Sequence, residues 1–401
     1  MRAIESTRGA TRWITRLVPF LLAAAVGFAT YVVVAHVCSD YLIHTHRKNG
    51  AAIAILVIYF VLLLLMVATY ARTVLLANYD PSVVPLGPKA IKRRKIEEKN
   101  RNKKHKQGDI VGQPYDVGPD DNPDSPGLEQ FYTKDVFVCE SDGRPKWCSE
   151  CCNWKMDRVH HSSEIGRCVY RMDHYCPWVG GMVGESSFKF FVQFTAYTAC
   201  YCGVVLGATA STLRKKLDAG QPLDSYLLAA IVLGAFFGLF TSTMTLTSVR
   251  YIWKNMTNVD MLGAQTKVYQ LAIRVPRHAE RSGDFARVTY PLPRPSQPIN
   301  GSHASQRDDL ATRTFAIVRT EPGENPWDLG PWRNWQSVMG TSPLDWFLPI
   351  RRSPCANHEN HEGFYPFGRV LADIRKRSGL PQAPTDENGG LELQELRDNT
   401  T

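Results

Sequence analysis

Four blocks of apolar residues constrain this chain more than any other feature: Leu17–Ala35, Ala51–Ala68, Phe190–Leu213 and Leu223–Val249. At about 1.5 Å of rise per residue, a helix built from any of them crosses a hydrocarbon core about 30 Å thick. The second block carries no polar side chain except the Tyr59 hydroxyl, so it lacks the polar face of a soluble helix. The third and fourth contain Thr and Ser residues of the kind that face the interior of a membrane bundle. A mean hydropathy of −0.23 would suit a soluble protein, but the average hides this segregation. The first block follows Arg2, Arg8, Arg12 and Arg16, as a signal peptide would. Its apolar run exceeds the usual core of about 7–15 residues, and no small-residue cleavage site closes it, so it reads as a retained helix. The expectation is an all-α integral membrane protein with four transmembrane helices.

The net charge of +9 is unevenly spread. The N-terminal arginines, and Lys92, Arg93, Arg94, Lys95, Lys103 and Lys104 after the second helix, place both segments in the cytosol by the positive-inside rule. Four crossings return the tail to the same side. Arg214, Lys215 and Lys216 dissent, lying between helices three and four. The organisation that follows is a cytosolic lead (1–16), helices one and two (17–77) joined by a loop of about Cys38–Gly50, and a cytosolic linker (78–130). After these come a Cys/His-rich module (131–187), helices three and four (188–249), and a cytosolic tail (250–401). The tail carries an aromatic patch over Asn325–Ile350 and is polar and disordered after Ser378. The basic run in the linker suits either anionic headgroups or a solvated tether. Membrane tethering argues against nucleic-acid binding. No helix bears a ladder of charges, which argues against a channel or transporter, and His36 reads as interfacial.

Six of the ten cysteines fall between Cys139 and Cys176, in a segment expected to face the reducing cytosol. Metal binding or catalysis is favoured there over disulfides. Cys148 and Cys151 form a Cys-x-x-Cys knuckle, and His161 and Cys168 complete a set of four soft donors suited to tetrahedral structural Zn²⁺. Spacing alone leaves Cys152 and His160 open as substitutes. Cys200 and Cys202 read as packing residues, Cys139 is a ligand only by proximity, and Cys38 and Cys355 are unassigned.

Asp173, His174 and Cys176 pose a different problem, since a thiol with a pKa of about 8.5 needs a base or a positive field before it attacks a thioester. His174 can take the proton, and Asp173 can orient the imidazole. Pro177 biases Cys176 to an extended conformation. A competing reading makes His174 and Cys176 further zinc ligands. Cys176 lies about a dozen residues before the third helix, close to the membrane face, where Trp178, Phe188, Phe190 and Phe191 suit an interfacial belt. A thiol there can take an acyl group whose tail rests in the bundle.

These residues resemble the DHHC-type protein S-acyltransferases, in particular fungal members with a DHYC variant. The resemblance rests on Asp173-His174-Tyr175-Cys176-Pro177-Trp178-Val179 within a Cys/His-rich loop between helices two and three. Asp80-Pro81-Ser82 is similar to the family's Asp-Pro-Gly motif, Thr257–Asp260 to its Thr-Thr-x-Glu motif, and Asn325 to Gly340 to its C-terminal aromatic motif. The resemblance implies a ping-pong palmitoyltransferase. Cys176 takes the acyl group from palmitoyl-CoA with His174 as base and Asp173 as its orienting partner, then passes it to a cysteine of a membrane-associated protein. It implies an endomembrane or plasma-membrane location, and an accessory subunit is compatible with it. Family members usually hold two zinc ions. Cys148, Cys151, His161 and Cys168 align with one ligand set, while Ser162, Ile165, Tyr175 and Met182 stand at the other. Loss of a whole set predicts one structural zinc, with Ile165, Met182 and Tyr175 packed as an apolar cluster instead. The rival function is a catalytically silent zinc-containing membrane adaptor.

Overall fold

The computed structural model describes residues 2–104, 117–119, 125, 127–276, 285–290 and 312–381. It comprises two compact units. One holds Met1–Asp120, Trp147–Ala264 and Leu329–Glu359; the other holds Asp121–Lys146, Gln265–Asp328 and Asn360–Thr401. Most of the stretch 105–126 of the expected linker, and the tail from residue 382, lie outside the described residues.

Among the described residues, four helices are long and apolar enough to cross a membrane: Leu17–Thr45, Asn49–Tyr79, Phe188–Asp218 and Ser225–Trp253. The first is α1 (Arg2–Tyr31), continued by a π-helical stretch, Val32–Thr45. The loop expected over Cys38–Gly50 therefore shrinks to residues 46–48 before α2 (Asn49–Tyr79). The reason is packing, since Val37, Cys38, Tyr41 and Leu42 remain buried and hold the chain helical. Beyond α2 the chain forms α3 (Pro88–Lys104), where a linker was expected. Next come α4 (Glu129–Tyr132) and β1 (Val136–Cys139).

Three two-stranded ribbons follow: β2 (Lys146–Cys148) with β3 (Asn153–Lys155), β4 (His160–Ser162) with β5 (Arg167–Val169), and β6 (His174–Cys176) with β7 (Gly181–Val183). Three-residue strands bury too little apolar surface to stand alone, so ribbons this small need staples. The chain then re-enters the bundle as α5 (Phe188–Asp218) and α6 (Ser225–Trp253).

Several polar groups inside the bundle pair with one another, since an unpaired one in hydrocarbon costs roughly several kcal/mol. Tyr59 OH lies 2.8 Å from Thr30 Oγ1 and 2.6 Å from Tyr201 OH, tying α1, α2 and α5 together. Thr69, Thr73, Thr209, Thr241 and Thr245 return their hydroxyls to carbonyls one turn back. Gly234 and Gly238, four residues apart on α6, admit α5 closely: a Cβ on them would meet Leu206 at 3.2 Å and Cys202 at 3.1 Å. At the α5–α6 turn Asp224 caps α6 by accepting from Tyr226 N–H and Leu227 N–H. Lys216 reaches Asp224 at 2.8 Å and Arg214 faces Asp218 at 3.7 Å, so two of the three dissenting cations are paired. His36 sits against the rings of Tyr31 and Tyr226, 3.7 Å from Asp224.

The tail begins with α7 (Asn258–Met261), β8 (Gln270–Val275), β9 (Ala286–Tyr290) and β10 (Arg313–Arg319). It continues with α8 (Pro331–Met339), α9 (Pro343–Phe347) and α10 (Arg369–Arg377). In the second unit the strands form an antiparallel sheet in the order β1-β8-β10-β9. Phe131, Phe137, Tyr290 and Phe315 pack edge to face in its core, and Trp327 packs against Tyr269 and Phe367. The all-α expectation covers the spanning helices and omits this sheet. Residues 131–146, expected within the Cys/His-rich module, belong here, and the aromatic patch is divided between the units after Asp328.

The segment 345–351 is irregular backbone set against the spanning helices, and side chains of those helices hold its carbonyls. Gln193 Nε2 donates to Asp345 O, Trp346 O and Leu348 O at 3.1, 2.9 and 3.4 Å. Tyr197 OH donates to Phe347 O at 2.6 Å, Arg72 to Ile350 O at 3.0 Å and Lys189 to Arg351 O at 3.0 Å. Non-helical backbone near a membrane requires such donors.

Candidate active site and metal centre

The ligand atoms of Cys148, Cys151, His161 and Cys168 lie within 4.8 Å of one another. His161 Nδ1 is 3.6, 3.3 and 3.9 Å from the sulfurs of Cys148, Cys151 and Cys168. A tetrahedral zinc with Zn–S of about 2.3 Å and Zn–N of about 2.0–2.1 Å separates sulfur from nitrogen by about 3.5 Å, so the donor set fits that ion. Strand pairing makes the arrangement possible, because His161 and Cys168 are cross-strand partners in β4–β5. Zinc is held by thiolates, and a bound dication itself ionises each coordinating thiol. Neither His174 nor Cys176 belongs to this group, nor do Cys152, His160 or Cys139.

Asp173, His174 and Cys176 meet at β6. Residues two apart on a strand share a face, which puts His174 and Cys176 side by side and Tyr175 on the other face. Tyr175 pairs across the ribbon with buried Met182, and Ile165 lies in the β4–β5 turn. His174 Nδ1 is 2.6 Å from Asp173 Oδ2, and the other carboxylate oxygen, Oδ1, accepts from Asn258 N–H at 2.9 Å. Burial opposes the charged imidazole. The hydrogen bonds and charges of Asp173 and Cys176 outweigh it, and the pKa of His174 is pushed up to about 9. An imidazolium beside a thiol favours the nucleophilic thiolate.

Cys176 is only 4% exposed and packs with Ala77, Val179, Val183, Phe191, Val192 and Met339. The Phe191 ring stands edge-on to His174, with centroids 5.1 Å apart. Helix α2 fixes the loop after Cys176, since Tyr70 OH donates to Trp178 O at 3.1 Å and Asn78 Nδ2 to Val179 O at 3.3 Å. Gly181 lies so close to α2 that a Cβ there would come within 2.8 Å of Ala77 O.

Behind Asp173 lies a polar network that the sequence reading did not assemble. Thr257 and Asp260 form a reciprocal capping box on α7, which presents the Asn258 amide to Asp173. Asp260 pairs with the buried Arg158 at 2.7 Å, and Arg158 and Arg171 both donate to Asn255 Oδ1 at 2.9 Å. Arg171 also reaches Cys355 Sγ at 3.0 Å, which places that unassigned cysteine. Thr257-x-x-Asp260 was readable as a cap, whereas no local pattern ties Arg158 and Arg171 to it. Asn334 of the aromatic motif donates to Trp253 O at 2.8 Å, closing the end of α6. Asp80 pairs with Arg352 at 2.8 Å. Ser82 adopts φ +50°, so it stands at a left-handed position that favours the glycine of the Asp-Pro-Gly motif.

Residues 141–265 match the family model described as DHHC palmitoyltransferase. The palmitoyltransferase pfa5 of Aspergillus fumigatus is 39% identical over 409 residues, 94% of this chain and 92% of that protein. The chain belongs to the DHHC palmitoyltransferase family. Palmitoyltransferase pfa5 of Emericella nidulans is 36% identical across 92% of this chain and 86% of its own length. Palmitoyltransferase PFA3 of Saccharomyces cerevisiae is 30% identical, over 56% of this chain and 57% of its own. As a member of this family the chain is a multi-pass membrane protein S-palmitoyltransferase.

Proposed function

We propose that Cys176 carries the acyl group as a thioester between palmitoyl-CoA and a cysteine of a membrane-associated protein. The observation that supports this most is the Asp173–His174–Cys176 array embedded in an apolar cluster at the foot of the bundle. The Cys176 thiolate attacks the thioester carbonyl carbon, a new carbon–sulfur bond forms, and the bond to the coenzyme A sulfur breaks. His174, protonated and held by Asp173, gives its proton to the departing coenzyme A thiolate. The acceptor thiol then returns a proton to His174 as its sulfur takes the acyl carbon and frees Cys176. Asp173 keeps the imidazole in one tautomer and stabilises its charge. Cys148, Cys151, His161 and Cys168 hold one zinc ion, which supplies a structural cross-link between ribbons that are too small to be stable alone. The module and both termini face the cytosol, where coenzyme A is available and where the basic segments belong.

The test is intact mass of the detergent-purified chain after incubation with palmitoyl-CoA, before and after neutral hydroxylamine. A hydroxylamine-labile palmitoyl adduct in the wild type, absent from Cys176→Ala, is expected. An adduct that persists in Cys176→Ala would remove the proposed intermediate.

A further inference from the structure

The stretch 82–94 reads in the sequence as the start of a linker and precedes the family-model match, which begins at residue 141. Its backbone nevertheless runs through the metal-ligand ribbons. Val84 N–H donates to Cys168 O and Gly87 N–H to Cys151 O, each at 2.9 Å, so two ligand residues have their carbonyls held by this stretch. Val83 forms a bridge with Val169, and Ser82 O accepts from Tyr170 N–H at 2.9 Å. The ribbons bond back: Asn153 Nδ2 donates to Pro85 O at 2.6 Å and Arg167 Nη2 to Val84 O at 3.0 Å. Val84 is buried in one apolar cluster with Cys148, Cys151 and Cys168, and Leu86 packs against it.

Three further contacts show close fit. A Cβ on Gly87 would lie 1.5 Å from Cys152 O, so no larger residue enters without displacing the knuckle. From the first turns of α3, Arg93 Nη2 donates to Glu150 O, between the two knuckle cysteines, and Arg94 Nη2 donates to Gly166 O, in the turn before Cys168; both are 2.5 Å. Two of the basic residues weighed for lipid headgroups, half-buried Arg93 and exposed Arg94, therefore serve the ligand loops; Lys92 and Lys95 are exposed as well.

We propose that residues 82–94 are a strap that holds the two ligand ribbons in register around the ion, with Gly87, Arg93 and Arg94 as its positioning residues. The inference rests on the zinc reading given above. β2–β3 and β4–β5 are separate sheets, so their ligands converge only if something spans them. The ion does so through side chains and the strap through backbone carbonyls. Hydrogen bonds to the ligating side chains typically govern metal affinity by about 10–100-fold, and the strap acts one step further out, on the carbonyls of the ligand loops. Because the strap leaves α2 directly, it also ties the metal centre to the second spanning helix.

The experiment uses the full-length chain in detergent, with zinc content measured first and release to a chromophoric chelator second. Arg93→Ala/Arg94→Ala is compared with Lys92→Ala/Lys95→Ala, which removes the same charge from exposed positions. Release about tenfold faster or more in the arginine pair, with wild-type kinetics in the lysine pair, is expected. Gly87→Ala is expected to release faster still; if it does not fold, the arginine pair carries the test. Equal release from the two pairs, with zinc bound in both, overturns the strap. A wild-type chain without zinc overturns the metal reading and the strap with it.

Discussion

The metal-ligand group and the β6 strand are built from the same residue types in one small module, yet they invite opposite chemistry. In the first, three cysteines and one histidine converge within 4.8 Å, and none of the four is a carboxylate. In the second, a single thiol shares a strand face with a histidine whose other nitrogen is 2.6 Å from Asp173. Surroundings divide their roles. Soft donors that face only one another suit a dication, which ionises the thiols it binds. A lone thiol beside an imidazole with a fixed tautomer becomes a nucleophile. On the proposed function, the carboxylate and its backing by α7, more than the cysteine itself, set the acyl-carrying thiol apart from the metal ligands.

Asp173→Asn leaves the metal group intact but frees the imidazole tautomer, so single-turnover acylation by palmitoyl-CoA falls about 10²–10⁴-fold with zinc content unchanged. Loss of zinc in that variant would merge the two regions. Gln193→Leu removes three hydrogen bonds to the carbonyls of Asp345, Trp346 and Leu348 and destabilises the chain by about 2 kcal/mol, read by thermal unfolding in detergent. The raised pKa of His174 sets a pH window. Its contribution to stability is fully present below the ordinary value of 6.5 and is lost as pH rises through about 9. The melting-temperature gap between wild type and His174→Gln therefore narrows across that range; a gap constant to pH 10 contradicts the assignment. Ser82→Gly relieves a left-handed conformation and raises stability by up to about 1 kcal/mol. A fall in melting temperature would show that the Ser82 side chain is needed there.

Much of this was legible because it is local. Apolar blocks announce spanning helices, Cys-x-x-Cys announces a knuckle, and Asp173-His174-x-Cys176 gathers a carboxylate, an imidazole and a thiol within four residues. The rest depends on partners far apart in sequence. β1 pairs with β8 across more than 130 residues, and neither strand's composition identifies the other. The strap was hidden because its bonds run from ordinary backbone amides, such as that of Gly87, to ordinary carbonyls, and its basic run looks like any solvated tether. The clasp on residues 345–351 uses Arg72, Lys189, Gln193 and Tyr197, polar residues whose partners in a span cannot be named without the fold. The first helix continues past its expected end because Val37, Cys38, Tyr41 and Leu42 remain buried.

The most direct test measures zinc and acyl thioester together on three proteins: wild type, Cys176→Ala and Cys151→Ala. The wild type is expected to hold one zinc and to form a hydroxylamine-labile palmitoyl adduct. Cys176→Ala should keep the zinc and lose the adduct, and Cys151→Ala should lose the zinc. Zinc loss from Cys176→Ala would make that cysteine a ligand and contradict the division of labour between the two regions.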